Sequence, residues 1–128
     1  RIRMVTLYQI AGAKKGIVVG TGNKVEDYGI GFYTKYGDGG VDIAPIADLY
    51  KTEVRELGWH LGVMDEILDA KPTDGLWEDG RSDEDQIGAT YAQLEEAMES
   101  GTGEAVDILS RFNRQNKHKM EPIPTFKL

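Results

Sequence analysis

The sequence predicts an α/β fold with a short parallel layer, because two brief β-branched segments alternate with helical ones. The segment "GIVVGTG" (16–22) is an apolar run closed by glycines and is typical of a buried strand that ends at Gly20. The segment "VDIAP" (41–45) predicts a second strand, which Pro45 ends because proline has no N–H to donate. Two parallel strands do not make a stable sheet, so we expect further strands from sequence outside this chain or from a partner.

Helical periodicity fills much of the remaining chain. The first residues already show it, with apolar side chains at Met4, Leu7, Tyr8 and Ala11. The chain is therefore expected to begin inside a helix and to be the C-terminal part of a longer sequence. Further helices are predicted over about 48–61, at "MDEILDA" (64–70), from a capping box at Thr90 and Gln93, and over about 102–112. The segment "NKVEDYG" (23–29) predicts a short turn or helix.

Two segments show no periodicity. The stretch "KPTDGLWEDGRSDEDQIG" (71–88) is rich in breakers and acids and predicts a long loop, which in a compact domain is usually functional or disordered. Its acidic run "SDEDQ" is read as loop or helix-start charge. The residues after 112 are read as a basic tail.

Composition limits the class of protein. The 128 residues, of which 40% are hydrophobic, suit one soluble globular domain, and no apolar run is long enough for a membrane segment. There is no cysteine and there are two histidines, which excludes disulfides, a thiol nucleophile and a Cys/His zinc site, and fits a reducing cytoplasm. A net charge of −7 argues against nucleic-acid binding.

The charge is uneven along the chain. Residues 77–104 hold nine acids and one base, a net of 1 − 9 = −8, and residues 111–128 hold five bases and one acid, a net of 5 − 1 = +4. This pattern fits a solvated acidic face with a basic tail, or a tail that binds an anionic ligand.

Candidate ligand groups flank the two predicted strands. In open α/β sheets, ligands gather beyond the carboxyl ends of the strands. After the first strand, Thr21 can hydrogen-bond a ligand and Glu26 offers a hard oxygen to a divalent cation, although an ordinary turn fits equally. Before the second, the loop "YTKYGDGG" (33–40) is either a tight turn or a ligand loop, with Lys35 and Asp42 able to bind a polar substrate. No Ser-His-Asp or paired-carboxylate constellation is convincing.

Three cations have two readings each. Lys51, in the first turn of the predicted helix at 48–61, is a surface lysine or a phosphate-binding one. His118 and Lys119 are solvated tail residues or ligands for a phosphate or carboxylate.

Five segments in order, "RIRM", "GTGNKVEDYGIGFYTKYGDGGVDIAPIADLYKTEV", "KPTDGLW", "DEDQIG" and "HKM", resemble the ammonia-dependent NAD synthetases over nearly the whole chain. That family belongs to the adenine-nucleotide alpha hydrolase-like ATP pyrophosphatases. The resemblance implies that residues 1–128 are the C-terminal half of a doubly wound parallel-sheet domain, and that the enzyme is a homodimer.

The resemblance also implies a two-step ligation. The nicotinate carboxylate of deamido-NAD attacks the α-phosphate of ATP and releases pyrophosphate, and ammonia then displaces AMP to give NAD. Such a reaction uses Mg²⁺ and a lysine to offset charge on the phosphates.

Matching positions carry the family's roles onto this chain. Thr21 and Thr73 look like ATP contacts, Lys51 looks like the lysine that neutralises the phosphates, and Glu26 looks like a magnesium ligand. Asp38 is in the position for binding ammonium and accepting its proton. The resemblance assigns the deamido-NAD contacts to Arg1, Lys35, Asp42, His118 and Lys119. The loop from about Thr73 to Gly88 resembles a mobile loop that orders over nucleotide.

The chain departs from the family in two places. The interval from Glu26 to Lys35 is one residue longer than in some relatives, so no contact is carried onto residues 27–31. The SGGxDS segment that cradles pyrophosphate in the family is absent from the sequence, so the 128 residues alone are expected to be inactive. Two alternatives remain: an ATP pyrophosphatase with another acceptor, similar to GMP or asparagine synthetases, or a non-catalytic nucleotide-binding or dimerising module.

Overall fold

The computed structural model describes residues 1–127, and the regular secondary structure in this range is helical apart from one β-bridge. None of the helices in this range is long and apolar enough to cross a membrane. The elements in chain order are α1 (Ile2–Lys14), a π-helix (Val25–Ile30), α2 (Lys51–His60), α3 (Asp65–Leu68), α4 (Asp83–Ile87), α5 (Tyr91–Ser100) and α6 (Val106–Met120).

The two predicted strands are reduced to a single parallel bridge between Val19 and Ile43. The Gly20 N–H donates to the Ile43 carbonyl at 2.7 Å, so the predicted segments do pair and in the predicted direction. No longer strand forms among residues 1–127, because a parallel pair without neighbours or covered faces is marginal. The prediction of two strands is therefore wrong, and the prediction that the two segments run parallel to each other is confirmed.

The segment 23–29, predicted as a short turn or helix, leads into a π-helix over Val25–Ile30. The Asn23 side chain begins it by accepting from the N–H groups of Val25 at 3.0 Å and Glu26 at 3.1 Å. Gly31, at φ 60°, ends it in the left-handed region.

The core lies where α5 and α6 pack on the π-helix. Val25, Ile30 and Leu94 are fully buried at its centre. Burying each such side chain contributes about 1.5–3 kcal/mol, so this packing holds the π-helix in place. The surrounding buried residues are Ile87, Ala89, Tyr91, Ala97 and Ala105.

Three helical predictions need correction. Helix α2 begins at Lys51 instead of residue 48, because the Tyr50 N–H donates to Glu53 Oε2 at 2.7 Å and starts the helix there. The periodicity of 48–61 predicts one apolar face with Tyr50, Val54, Leu57 and Leu61, but the helix ends at His60 and Leu61 is 70% exposed. The predicted loop at 71–88 contains α4, which begins after a capping box formed by Ser82 and Asp85. Of the two interpretations of the acidic run "SDEDQ", helix-start charge is therefore confirmed.

The last helix is longer than predicted. It runs to Met120, so His118 and Lys119 lie on its final turn and not in a tail. Basic residues are favoured there by the helix dipole. The helix ends before Glu121, which precedes Pro122 and is therefore disfavoured from helical geometry.

Candidate functional site

Four side chains meet at one end of the core, and we call Glu26, Lys51, Asp83 and Tyr91 the Glu26 cluster. Lys51 Nζ lies 3.0 Å from Glu26 Oε1. The Tyr91 hydroxyl donates to the same oxygen at 2.6 Å. Lys51 Nζ also lies 5.0 Å from the centre of the Tyr91 ring. Tyr91 therefore orients the acid and the base of this pair together.

Helix starts position these groups. Lys51 is the first residue of α2, and Tyr91 is the first of α5 after the Thr90 cap. The Tyr91 N–H donates to Glu84 Oε1 at 2.8 Å, which holds the start of α5 against α4. Glu26 is fixed by the Asn23 bond to its N–H at 3.1 Å.

Burial shapes the protonation of the cluster. Burial, followed by the charge of Glu26, raises the pKa of Tyr91. Its hydroxyl therefore stays protonated and remains a donor to Glu26. Burial also raises the pKa of Asp83, Glu26 raises it further, and the Lys51 ammonium opposes the shift. Asp83 is 9% exposed, and within residues 1–127 its Oδ1 is a buried oxygen without a hydrogen-bond partner.

A second group of side chains surrounds the glycine loop. The Lys119 ammonium donates to the carbonyls of Gly31 and Tyr33, each at 2.8 Å. In return the Tyr33 hydroxyl donates to the Lys119 carbonyl at 2.6 Å. Burial lowers the pKa of Lys119, and the Asp38 carboxylate opposes that change. We call this group the Lys119 cluster; its members are the side chains of Arg1, Tyr33, Lys35, Asp38 and Lys119, with His118, which joins through its backbone carbonyl.

The cations of the Lys119 cluster are held by neutral carbonyls. Lys35 Nζ donates to the His118 carbonyl, and Arg1 Nε donates to the Lys35 carbonyl at 3.4 Å. A carbonyl fixes the position of a cation without cancelling its charge. The cluster therefore presents fixed positive charge, which suits an anionic ligand.

Asp27 lies between the two clusters. Burial raises its pKa to about 6, and the carboxylates of Glu26 and Asp38 add to the effect. Gly22 makes room for it, because a Cβ at that position would lie 2.2 Å from the Asp27 carboxylate. The Glu26 and Lys119 clusters are therefore neighbouring parts of one region.

The glycine loop is both a tight turn and part of this region. The Gly37 N–H donates to the Thr34 carbonyl at 2.8 Å, and Asp38 Oδ1 accepts from the Thr34 N–H at 2.9 Å. Gly39 packs on the Tyr33 ring, where a Cβ would come within 2.4 Å. The turn and ligand readings of the loop are therefore compatible.

Three predicted residues lie outside both clusters. Asp42 accepts from the Val18 N–H at 2.7 Å and from the Tyr8 hydroxyl at 3.2 Å, so it ties the second bridge segment to the first and to α1. Thr21 and Thr73 are exposed, and neither side chain makes a hydrogen bond among residues 1–127. Arg1, Lys35, Asp38, His118 and Lys119 are brought together, and Glu26 meets Lys51.

Sequence reasoning missed four residues of this region. Tyr91 was given no role, and Asp83 lies in the acidic run read as loop or helix-start charge. Asp27 and Tyr33 carried no assigned role. The Thr90 capping box was a usable signal, because it fixes Tyr91 at a helix start and so at the edge of the core.

The carboxylates do not form a complete metal cage. No group of three or more acidic, histidine or cysteine side chains in the described part of the chain could hold a metal by itself. Mg²⁺ commonly takes one or two protein carboxylates and fills its shell with water and phosphate oxygens. The donors present therefore fit a cation that arrives with a phosphate ligand.

Comparison with known proteins identifies the class. The sequence model of the NAD synthase family matches residues 1–123, and the chain belongs to that family. It is 54% identical over 99 residues to an NH(3)-dependent NAD(+) synthetase of Methanococcoides burtonii. The aligned region covers 77% of this chain and 37% of the relative. A synthetase of the same description from Carboxydothermus hydrogenoformans is 45% identical over 121 residues, covering 93% of this chain and 49% of the relative. The chain spans about half the length or less of these two relatives.

Solved structures agree with the sequence comparison. The match to an NMN synthetase from Francisella tularensis covers 99% of this chain and 53% of that protein's chain, with a TM-score of 0.87 and 38% sequence identity. An NH3-dependent NAD synthetase from Campylobacter jejuni, in complex with the nitrate ion, matches 98% of this chain and 52% of its own with a TM-score of 0.72 and 25% identity. These neighbours support the α/β class, although residues 1–127 show one bridge and no strand.

Proposed function

We propose that this chain is half of an enzyme that amidates deamido-NAD to NAD with ATP and ammonia. The observation that carries the proposal is the meeting of Arg1, Lys35 and Lys119, distant in sequence, beside a Glu26–Lys51 pair. Fixed cations suit an anionic acceptor, and an acid paired with a lysine suits a metal-bound triphosphate.

The first step activates the nicotinate carboxylate. One carboxylate oxygen bonds to the α-phosphorus of ATP while the bond from that phosphorus to the bridging oxygen of pyrophosphate breaks. Negative charge grows on the leaving phosphates, and Lys51 is placed to offset it. We assign Thr21 and Thr73 to ATP contacts at the margins of this site.

The second step forms the amide. The ammonia nitrogen bonds to the carboxyl carbon of the adenylate, and the bond from that carbon to the AMP oxygen breaks. Asp38 binds ammonium and accepts its first proton, which leaves ammonia free to attack, and the second proton is lost to solvent as the adduct becomes the neutral amide. Its carboxylate is exposed on the glycine loop and held by the Thr34 N–H at 2.9 Å, so it is accessible to a small cation.

Magnesium fits the Glu26 side of the site. Glu26 offers a carboxylate oxygen, and a bound cation would supply charge neutralisation on the phosphates. Lys51 and Tyr91 hold the Oε1 atom of this carboxylate, at 3.0 and 2.6 Å, so Oε2 is the oxygen that would meet the cation. The side chain is therefore oriented before a ligand arrives.

The acceptor lies on the other side of the region. We assign its phosphate and carboxylate groups to Arg1, Lys35, His118 and Lys119. Asp42 is assigned to the same ligand; its bonds to Val18 and Tyr8 also make it a structural support of the loop.

The wider setting follows from the family. We propose that residues 1–128 are the C-terminal part of a doubly wound parallel-sheet domain, which works as a homodimer in the cytoplasm. The sequence 1–128 lacks an SGGxDS segment, so the activity is assigned to a protein that joins this chain to the rest of the family's length.

The test is a product assay on that full-length protein. With ATP, Mg²⁺, ammonium and deamido-NAD, we expect equal amounts of AMP and NAD, measured by chromatography. Formation of ADP, or of AMP without amide, would contradict the proposal. Nucleotide binding without any product would favour the non-catalytic alternative.

A mononucleotide acceptor is the second candidate. It is favoured by the TM-score of 0.87 with a structure described as an NMN synthetase. The same assay with nicotinate mononucleotide distinguishes the two, because a kcat/KM at least about tenfold higher for one acceptor corresponds to about 1.4 kcal/mol of discrimination.

A further inference from the structure

Glu95 is a buried carboxylate that the reaction proposed above does not use. The residue is 8% exposed and is one of the buried residues of α5. Its Oε1 accepts from the Thr52 N–H at 3.2 Å, and its Oε2 accepts from the Thr52 hydroxyl at 2.7 Å. Both oxygens of this carboxylate are therefore directed at the start of α2.

These two bonds fix the backbone beside Lys51. The Thr52 N–H belongs to the peptide group that joins Lys51 to Thr52, and a peptide group is planar and rigid. Thr52 is the second residue of α2, where N–H groups have no acceptor within the helix. A carboxylate is favoured there by the positive end of the helix dipole. Glu95 therefore holds the peptide group that follows the Lys51 Cα.

The other end of Lys51 is held from the same face of α5. Tyr91 and Glu95 are four residues apart in this helix, so their side chains leave it on one side. The Tyr91 ring lies 5.0 Å from Lys51 Nζ, and its hydroxyl donates to the Glu26 oxygen that lies 3.0 Å from the same Nζ. A lysine side chain is long and flexible, so fixing one end alone would leave the ammonium free to move. Helix α5 fixes both ends.

We propose that Glu95 is a positioning residue for the adenylylation step, which it serves by holding the backbone of Lys51. The inference rests on the proposed function, because that function gives Lys51 the task of offsetting charge on the phosphates. A displacement of about 1 Å in an active site can reduce a rate by as much as about 10²-fold. The role of Glu95 is indirect, since it acts through Thr52 and Lys51.

Acceptor-dependent pyrophosphate–ATP exchange tests this role in the full-length protein, below the unfolding temperature of each variant. Glu95→Ala should lower the kcat of exchange about tenfold and leave the KM for ATP within about twofold, because a displaced Lys51 loses stabilisation that develops in the transition state. Glu99→Ala removes the same charge from an exposed position on the same helix. This control should leave both constants within about twofold of the wild type.

Conservative variants separate positioning from a loss of stability. Glu95→Gln keeps an oxygen for the Thr52 N–H and an amide for the Thr52 hydroxyl, so exchange should stay within about threefold of the wild type. Thr52→Ser keeps the hydroxyl and should behave in the same way. Thr52→Val keeps the shape, loses the 2.7 Å bond and should lower the kcat about three- to tenfold. The Thr52 pair decides the question where Glu95→Ala fails to fold.

Chemical labelling follows Lys51 without any activity. The full-length protein is treated with limiting acetic anhydride, and mass spectrometry measures the acetylation rate of each lysine. An ion-paired ammonium reacts more slowly than a solvated one, because the reagent attacks the neutral amine. Glu95→Ala should therefore raise the rate at Lys51 at least about threefold. Lys24, which pairs with the exposed Asp48 at 3.3 Å, should keep its rate in the same sample.

The outcomes separate this inference from the proposed function. The positioning role would be overturned by normal exchange in a folded but less stable Glu95→Ala, by equal losses in Glu95→Ala and Glu99→Ala, by equal exchange in Thr52→Val and Thr52→Ser, or by an unchanged labelling rate at Lys51. Any of these, together with AMP and NAD formation by the wild type, would leave the proposed function intact. Faster labelling of Lys51 in Glu95→Ala, without exchange or NAD formation in the wild type, would support the positioning of Lys51 and contradict the proposed function.

Discussion

The Glu26 cluster and the Lys119 cluster hold their lysines in different ways. Lys51 pairs with a carboxylate at 3.0 Å, so its charge is balanced within the protein. Lys119 donates to two carbonyls at 2.8 Å, which fix its position and leave its charge in place. The first cluster also carries an unpartnered buried carboxylate oxygen among the described residues.

This difference suggests that the two clusters have different roles. A balanced pair with spare carboxylate oxygen can exchange partners when a metal and phosphates arrive together. Cations fixed by carbonyls attract an anionic substrate before any chemistry begins. Four substitutions with matched controls test this contrast. They are described in order of expected effect, beginning with the largest.

Removing the lysine of the Glu26 cluster should damage adenylylation most. In the full-length protein, Lys51→Ala should reduce acceptor-dependent pyrophosphate–ATP exchange by roughly 10²–10³-fold, because growing phosphate charge is no longer offset. Lys24→Ala is the control, since Lys24 pairs with the exposed Asp48 at 3.3 Å near the start of the same helix. Comparable losses in both variants would contradict the assignment.

Adding a side chain at Gly31, whose carbonyl holds Lys119, should destabilise the fold. Gly31 has φ 60°, and a Cβ there would lie 2.6 Å from Asn116 Cβ. Gly31→Ala should lower the free energy of unfolding by about 2–4 kcal/mol from backbone strain and overpacking. Gly12→Ala, in α1 with open space around it, should raise it by up to about 1 kcal/mol. Urea unfolding measures both, and an equal response would show that the loop is loosely packed.

Removing the fixed charge of the Lys119 cluster should weaken acceptor binding. Lys119→Met should raise the KM for deamido-NAD roughly tenfold and leave the KM for ATP within about twofold. Lys117→Met is matched, since Lys117 lies on the same helix turn and pairs with Glu121 at 3.3 Å on the surface. A rise in the KM for ATP instead would assign Lys119 to the nucleotide.

Removing one hydroxyl should have the smallest effect. Tyr91→Phe deletes the 2.6 Å bond to Glu26 and keeps the ring beside Lys51. The Mg²⁺ concentration for half-maximal exchange should rise severalfold, the effect of one hydrogen bond to a charged group that is partly replaced by water. Tyr28→Phe, at an exposed ring on the π-helix, should leave it unchanged. No shift in Tyr91→Phe would show that Lys51 alone orients Glu26.

Local patterns predicted the helices better than the strands. The capping box at Thr90 and Gln93 and the periodicity of α1 act within a few residues, so they could be identified from the sequence. The pairing of Val19 with Ile43 depends on neighbours that a short segment does not specify. The end of α6 was missed because its last turn is basic and polar, with no apolar face to mark it.

The roles of Glu26, Lys51, Lys35 and Lys119 came from the resemblance and stay predictions. The structure shows that Glu26 contacts Lys51, and that Lys35 and Lys119 lie at the same end of α6. Asp83 is buried near Glu26 and Lys51, which are far from it in the chain, so its environment could not be predicted from the local pattern. Its sequence context indicated only loop or helix-start charge.

The most direct test of these different roles is to measure the rates of both partial reactions in Asp38→Ala. In the full-length protein, pyrophosphate–ATP exchange and NAD formation are measured on the same preparation, with Lys51→Ala for reference. The account predicts that Asp38→Ala keeps exchange within about threefold of the wild type and loses roughly 10²-fold or more in NAD formation. An equal loss in both reactions would contradict it, because Asp38 would then serve adenylylation or the fold instead of ammonia.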